Sequence, residues 1–289
     1  MGCIRDKAKW ELEESFVIDA QDKLGFSRFS SDQLVKTFHR YSPEFHLQQH
    51  QLEQAFAELG ISLSEEKAQF YNKFKEIPVE SQYYRLLQRK RTLQEDREVQ
   101  YSTKKLVSMG IILSKSKPKE KLQSLFFDYD IDISSKLSEE EIETMISNVV
   151  EISFNYLPSL AAIYHPDFQI EIERYSRHLA RHSSSFIGYL KYFIYGNRRS
   201  SISQAEFTNP SPQQEELIMF TDPSAMRKFV MKEFEVGEPP GEIKLKGEPK
   251  KLNSEKVVTW NKRKLRKKEK VKKRKQELQE ILSEEENKP

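Results

Sequence analysis

Cysteine is nearly absent from this 289-residue chain, with Cys3 as its single thiol. A lone thiol closes no internal disulfide and builds no cysteine-based zinc site. Glycine is sparse, nine residues in all, and no Gly-rich phosphate loop is present. The patterns G-x-S-x-G and H-E-x-x-H are missing too, which removes the serine nucleophile on a strained turn and the helical zinc-hydrolase pair. No stretch reaches the roughly 18 consecutive apolar residues of a membrane-spanning helix, and the first residues lack the apolar core of a secretory signal. These absences lead us to expect a non-enzymatic protein on the cytosolic side.

What is present is charge together with aromatic surface. Charged residues make up 32% of the chain and hydrophobic ones 37%, with 18 Phe and 12 Tyr, enough to build a core and to exclude wholesale disorder. The net charge of +3 hides an asymmetry. Residues 242–289 carry 17 Lys+Arg against 9 Asp+Glu, so that end stands at +8 and the first 241 residues at −5. Seven of the twelve prolines lie beyond residue 208. We therefore expect an N-terminal segment, 1–20, an acidic folded body ending near residue 208, a Pro/Gly-rich linker with a short helix, 209–256, and a basic tail, 257–289.

The body reads as helical throughout. Ser30 stands three residues ahead of Gln33 and before Leu34, Val35, Phe38 and Tyr41 at three- and four-residue spacing, the pattern of a capped amphipathic helix. Leu52, Ala55, Phe56 and Leu59 form a second apolar face that stops at Gly60. Ser64, with Glu65 and Glu66, starts the helix that carries Phe70, Tyr71 and Phe74. Helical period recurs over 104–115, 119–129, 139–158, 169–183 and 186–195, and no segment alternates like a half-buried strand for more than a few residues. Aromatics such as Phe38, Phe56, Phe126, Phe127, Phe193 and Phe207 are expected in the core.

The stretch that carries chemistry runs from Asp128 to Ile142, where Asp128, Asp130 and Asp132 alternate and Glu139-Glu140-Glu141 follows. A hard cation such as calcium needs six or more oxygens, which a 12-residue helix-loop-helix turn supplies from positions 1, 3, 5, 7, 9 and 12. Two registers compete. Starting at Asp128 places β-branched Ile133 at position 6, where the sharp turn favours Gly, and polar Ser135 at the apolar position 8. Starting at Asp130 gives Asp130, Asp132, Ser134, the Lys136 carbonyl, Ser138 and Glu141, with Leu137 at position 8. It also makes Ser138-x-x-Glu141 a capping box. We take this second register, which asks Ser135 for a left-handed backbone at a cost of about 1–2 kcal/mol.

With Phe126 and Tyr129 four and one residues ahead of the loop, the stretch resembles the EF-hand superfamily, and more closely its calmodulin and neuronal calcium sensor branch. Leu52 to Glu66 looks like the exit helix, glycine stop and re-entry that join a first and a second hand. Tyr101 to Leu106 looks like the end of a second loop, and Ile202 to Phe207 like the end of a fourth. The resemblance covers residues 30–208. It implies an all-α fold of two EF-hand pairs, 21–115 and 116–208, in which position-8 residues form short β-bridges, Leu47 beside Tyr101 and Leu137 beside Ile202. It also implies at most one calcium site. The first loop, Ser42 to Gln51, is short, contains Pro43 and Phe45 and ends in Gln. The second carries an insertion over about 75–99 and has Lys105 where the closing acid belongs. The fourth keeps Glu206 but has Asn197 and Arg199 at positions 3 and 5.

The ends of the chain add further signals. Met1-Gly2-Cys3 matches the start of an N-myristoylation signal, with Asp6 where Ser or Thr is usual, so Gly2 and Cys3 are candidate acylation sites. Two lipid chains anchor stably where one does not. Eleven of the fourteen residues from Lys262 to Lys275 are Lys or Arg, suited to an anionic membrane or an acidic protein surface; with Trp260 alone to stack, nucleic acid ranks below both. Asp222-Pro223, followed by Met226, Phe229, Val230 and Met231, predicts a docking helix over 222–234. His178 and His182 sit among Arg174, Arg177 and Arg181 and read as a surface helix rather than a metal site. The leading expectation is a regulatory or adaptor protein that docks a partner helix. The alternative is a cytoskeletal or axonemal component that grips acidic microtubule surfaces without calcium.

Overall fold

Helix caps written in the sequence set most of the element boundaries. The computed structural model describes residues 3–42, 46–76, 100–195, 201–209 and 216–233, all within the unit Met1–Gly237. Its helices are α1 (Cys3–Leu24), α2 (Ser31–Tyr41), α3 (Gln49–Glu58), α4 (Glu65–Tyr71), α5 (Thr103–Leu113) and α6 (Pro118–Tyr129). They continue with α7 (Glu139–Glu151), α8 (Leu157–Tyr164), α9 (Gln169–Tyr195), α10 (Gln204–Thr208), α11 (Glu216–Met219) and α12 (Pro223–Glu233). Ser30 caps α2 by accepting from the Gln33 amide, and Ser64 caps α4 by accepting from Lys67. Reciprocal capping boxes open α3 (Gln48 with Gln51), α7 (Ser138 with Glu141) and α10 (Ser203 with Glu206). Gly60 takes φ 62° and stops the chain after α3, a left-handed turn that costs glycine little.

The fold is mostly helical, with five short strands that periodicity does not signal: β1 (His46–Leu47), β2 (Lys75–Glu76), β3 (Gln100–Ser102), β4 (Lys136–Ser138) and β5 (Ser201–Ser203). They pair antiparallel in two small sheets, β1-β3-β2 and β4-β5. Leu47 lies opposite Tyr101 and Leu137 opposite Ile202, the two pairings expected from the loop registers.

One hydrophobic cluster runs from Val17 to Val230 with no break near residue 115. Phe38 and Phe56 meet edge to face at 5.9 Å, and Phe70, Tyr71 and Phe74 continue the aromatic stack. Burying such side chains is the main favourable term in folding. Two expected core aromatics differ. Phe127 is 63% exposed and Phe193 only partly buried, because each follows or precedes by a step the residue that faces inward, Phe126 or Ile194.

The core is larger than the body expected from composition. Val17, Ala20 and Leu24 of α1 and Met226 and Val230 of α12 are fully buried, so both helices belong to it rather than to a leading segment and a linker. Asp222 caps α12 by accepting from the amides of Ser224 and Ala225. The two segments expected over 169–195 are a single helix, α9. Its inward stripe of Ile172, Tyr175, Leu179, Phe186, Leu190 and Ile194 carries it through the poor helix formers Ser183 to Ser185.

Between α7 and α8 the helix widens into a π-turn, Ile152–Tyr156, just ahead of Pro158. Proline brings no N–H, and its ring would collide with the carbonyl of Phe154, so the wider turn relieves the clash. Two carbonyls here are met by side chains: Ser176 Oγ donates to Phe154 O at 3.0 Å and Arg227 Nη1 to Ser153 O at 3.2 Å. Arg227 is fully buried and also donates to both carboxylate oxygens of Glu14, at 2.7 and 2.9 Å, tying α12 to α1. Tyr175 and Ser224 complete the shell by donating to Glu14 at 2.7 Å each.

Candidate functional site

Five residues of the predicted ligand set lie along the connection between α6 and α7, and the sixth, Glu141, stands in the first turn of α7. The Ser134 amide donates to Asp130 Oδ1 and to Asp132 Oδ1, both at 3.0 Å, and the Ser135 amide donates to Asp130 Oδ2 at 3.0 Å. Ser134 Oγ donates to the Lys136 carbonyl at 2.8 Å. Glu141 reaches back across the loop: Oε1 accepts from the Ile131 amide at 3.2 Å and Oε2 from Ser138 N and Oγ at 2.8 Å each. The hydrogen bonds from Ser134 hold Asp132 below the usual aspartate range.

Asp128 stands apart from this turn. Its side chain is wholly buried at the end of α6, where Oδ1 meets His39 Nε2 of α2 at 2.8 Å. Ser135 takes the left-handed backbone expected of position 6, at φ 60°, and Ile133 takes it as well, at φ 56°. A β-branched residue there is a genuine outlier, and Ile133 adopts the left-handed backbone expected to exclude it from position 6 of the Asp128 register. Leu137, position 8 of the expected Asp130 register, is buried and pairs with Ile202.

The donor set suits a hard cation in kind, with three carboxylates, two hydroxyls and a carbonyl on one loop. Its carboxylates are engaged by loop amides, and no group of three or more His, Cys, Asp or Glu side chains converges as a metal cage among the described residues. Asp130 Oδ1 and Glu141 Oε2 each already accept two hydrogen bonds, one from an amide and one from a serine hydroxyl, so ligation at these oxygens requires at least the hydroxyls to turn away. A neighbouring charge opposes a cation: the Lys104 ammonium lies 4.6 Å from the Tyr129 ring centroid. Burial lowers its pKa against the opposing charges of Asp128 and Glu141.

The other loop ends close without a carboxylate cluster. Gln51 closes the first by accepting from the Gln48 amide at 2.8 Å. Lys105 closes the second as a built-in cation, 2.8 Å from Glu76 and 3.1 Å from Glu151. Burial alone would lower the Lys105 pKa, but the Glu76 hydrogen bond and the Tyr156 and Glu151 interactions outweigh it and raise it above the usual lysine range. Glu206 caps α10 from the fourth. Pro43, Phe45, Asn197 and Arg199 lie outside the described residues, as do Gly2, the insertion over 77–99 and the whole basic tail with Trp260. Cys3 is the first residue of α1.

His178 and His182 are not a purely exposed pair. Their rings are 4.9 Å apart, and His178 stacks on Trp10 at 5.4 Å. Burial, then the neighbouring cations, lowers both pKa values. The Glu14–Arg227 pair gave sequence reasoning no signal, since its partners lie 213 residues apart. Among the described residues no helix is long and apolar enough to cross a membrane. Comparison with known proteins returned no match. No family model, no curated protein and no solved structure matches the chain.

Proposed function

We propose that the chain is a non-enzymatic adaptor built on two EF-hand-like pairs, with at most one calcium site, formed by Asp130, Asp132, Ser134, the Lys136 carbonyl, Ser138 and Glu141. The single observation that carries this reading is the pairing of loop ends, Leu47 with Tyr101 and Leu137 with Ile202. Each of the four strands involved runs into a helix, and three of those helices start in a capping box. Calcium in the third loop would neutralise Asp130, Asp132 and Glu141 and draw α6 and α7 toward one point. Docking of a partner protein helix, acylation at Gly2 and Cys3, and attraction of the basic tail to an anionic membrane belong to the same reading.

Calorimetric titration of the purified chain with calcium tests it. Glu141→Gln should abolish the heat of binding while retaining the helix cap, and Asp128→Asn should leave affinity nearly unchanged while lowering stability through its lost pairing with His39. Equal losses of affinity in both variants refute the ligand set, and no binding at millimolar calcium refutes the calcium site.

A second reading is favoured by the closures at Gln51 and Lys105. A calcium-independent structural component of the cytoskeleton or axoneme would use the same pairs as a fixed fold. A calcium-silent chain that co-sediments with microtubules in a salt-dependent way would support it.

A further inference from the structure

Away from the loops, α8 packs on α4 at one side and on α9 at the other, leaving an open groove above it of about 890 Å³. Pro158, Ala162 and Ile163 of α8 and Ile172 of α9 give it an apolar floor, while Lys73 and Arg177 line it from the two sides. Neither cation has a carboxylate partner among the described residues; Arg177 Nε donates only to the Glu173 carbonyl of its own helix, at 3.3 Å. Arg174 and Arg181 stand one turn either side of Arg177 on α9 and are likewise without an ion pair among the described residues. The one acid in the groove, Glu173, already accepts from Gln169 at 2.7 Å. Lys105, Lys191 and Arg227 are ion-paired, whereas Lys73 and Arg177 are exposed cations that stand beside the groove without an ion pair among the described residues.

We propose that this groove is a docking site for an acidic amphipathic segment of a partner protein, its apolar face on the α8 floor and its carboxylates reaching Lys73 and Arg177. Charge complementarity selects the acidic partner, and concavity selects a peptide over a flat bilayer. The site shares no residue with the third loop, so it stands independently of the calcium reading.

The test uses the full chain with the Lys and Arg residues of 262–275 replaced by Gln, so that the tail contributes nothing. The probe is a fluorescent amphipathic peptide with a Glu polar face and a Leu apolar face, followed by anisotropy. Binding should weaken about tenfold in Lys73→Gln/Arg177→Gln, since each exposed pair is worth up to about a factor of five. It should fall further in Ala162→Trp, which fills the trough, and the Glu141→Gln variant should bind as the parent does. Both cations are exposed, so thermal melts should match the parent and separate lost docking from lost folding. Equal affinity of the charge variant and the parent overturns the proposal. So does anionic phosphatidylserine vesicle binding that depends on the same two residues when the peptide does not bind.

Discussion

Replacing Arg227 with Met should be among the most damaging single changes in the chain. The guanidinium is 0% exposed and donates to Glu14 twice, to Gln21 at 2.9 Å and to the Ser153 carbonyl at 3.2 Å. Removing it leaves a carboxylate that is 5% exposed with only Tyr175 and Ser224 as donors, and it orphans a carbonyl of the π-turn. Breaking a buried pair from one side costs about 3–5 kcal/mol, a large share of a typical domain stability of about 5–15 kcal/mol. With a urea slope near 2 kcal/mol/M, the midpoint should drop by roughly 2 M. Glu14→Leu should cost a similar amount. The double variant should be markedly more stable than the sum of the two losses predicts, because it removes both desolvated charges together. Urea unfolding of all four chains, followed by far-UV circular dichroism, measures the cycle. Single losses below about 1 kcal/mol, or additive losses with no coupling, would refute the view that this pair locks α1 and α12 to the core.

Two further outcomes follow from strain and from titration. Ile133 is 86% exposed with φ 56°, so Ile133→Gly should raise stability by on the order of 0.5 kcal/mol after the entropy cost of glycine is subtracted, read as a higher melting temperature. His178 and His182 have folded-state pKa values below 6.5, so the fold favours their neutral forms. Their contribution to stability is present above pH 6.5 and lost as pH falls through their folded pKa values. Unfolding measured from pH 7.5 to pH 5 should show a decline that flattens in the His178→Gln/His182→Gln variant.

Local signals in the sequence carry over into the structure where the physics is local. Ser30, Ser64 and Ser138 cap helices because a short side-chain oxygen reaches an amide two or three residues on, and Gly60 stops one because a left-handed residue costs glycine least. Asp222 was legible for the same reason. Even the pairing of Leu137 with Ile202 could be anticipated, since each is the apolar residue one step before a capping serine. The continuity of α9 through Ser183 was not legible, because helix propensity there is overridden by burial of Phe186 and Leu190.

By itself, then, the sequence determined where the capped helices α2, α4, α7 and α12 start and where the chain stops after α3 at Gly60. Only the tertiary structure decided that α1 and α12 are core elements, that Asp128 turns inward to His39, and that Lys73 and Arg177 flank one groove. Each of these depends on partners brought together from distant segments, and whether a charged residue is buried or exposed is set by what packs over it. Arg227 and Arg177 look alike in a sequence; one is enclosed by α1, α9 and the π-turn, and the other faces an open trough.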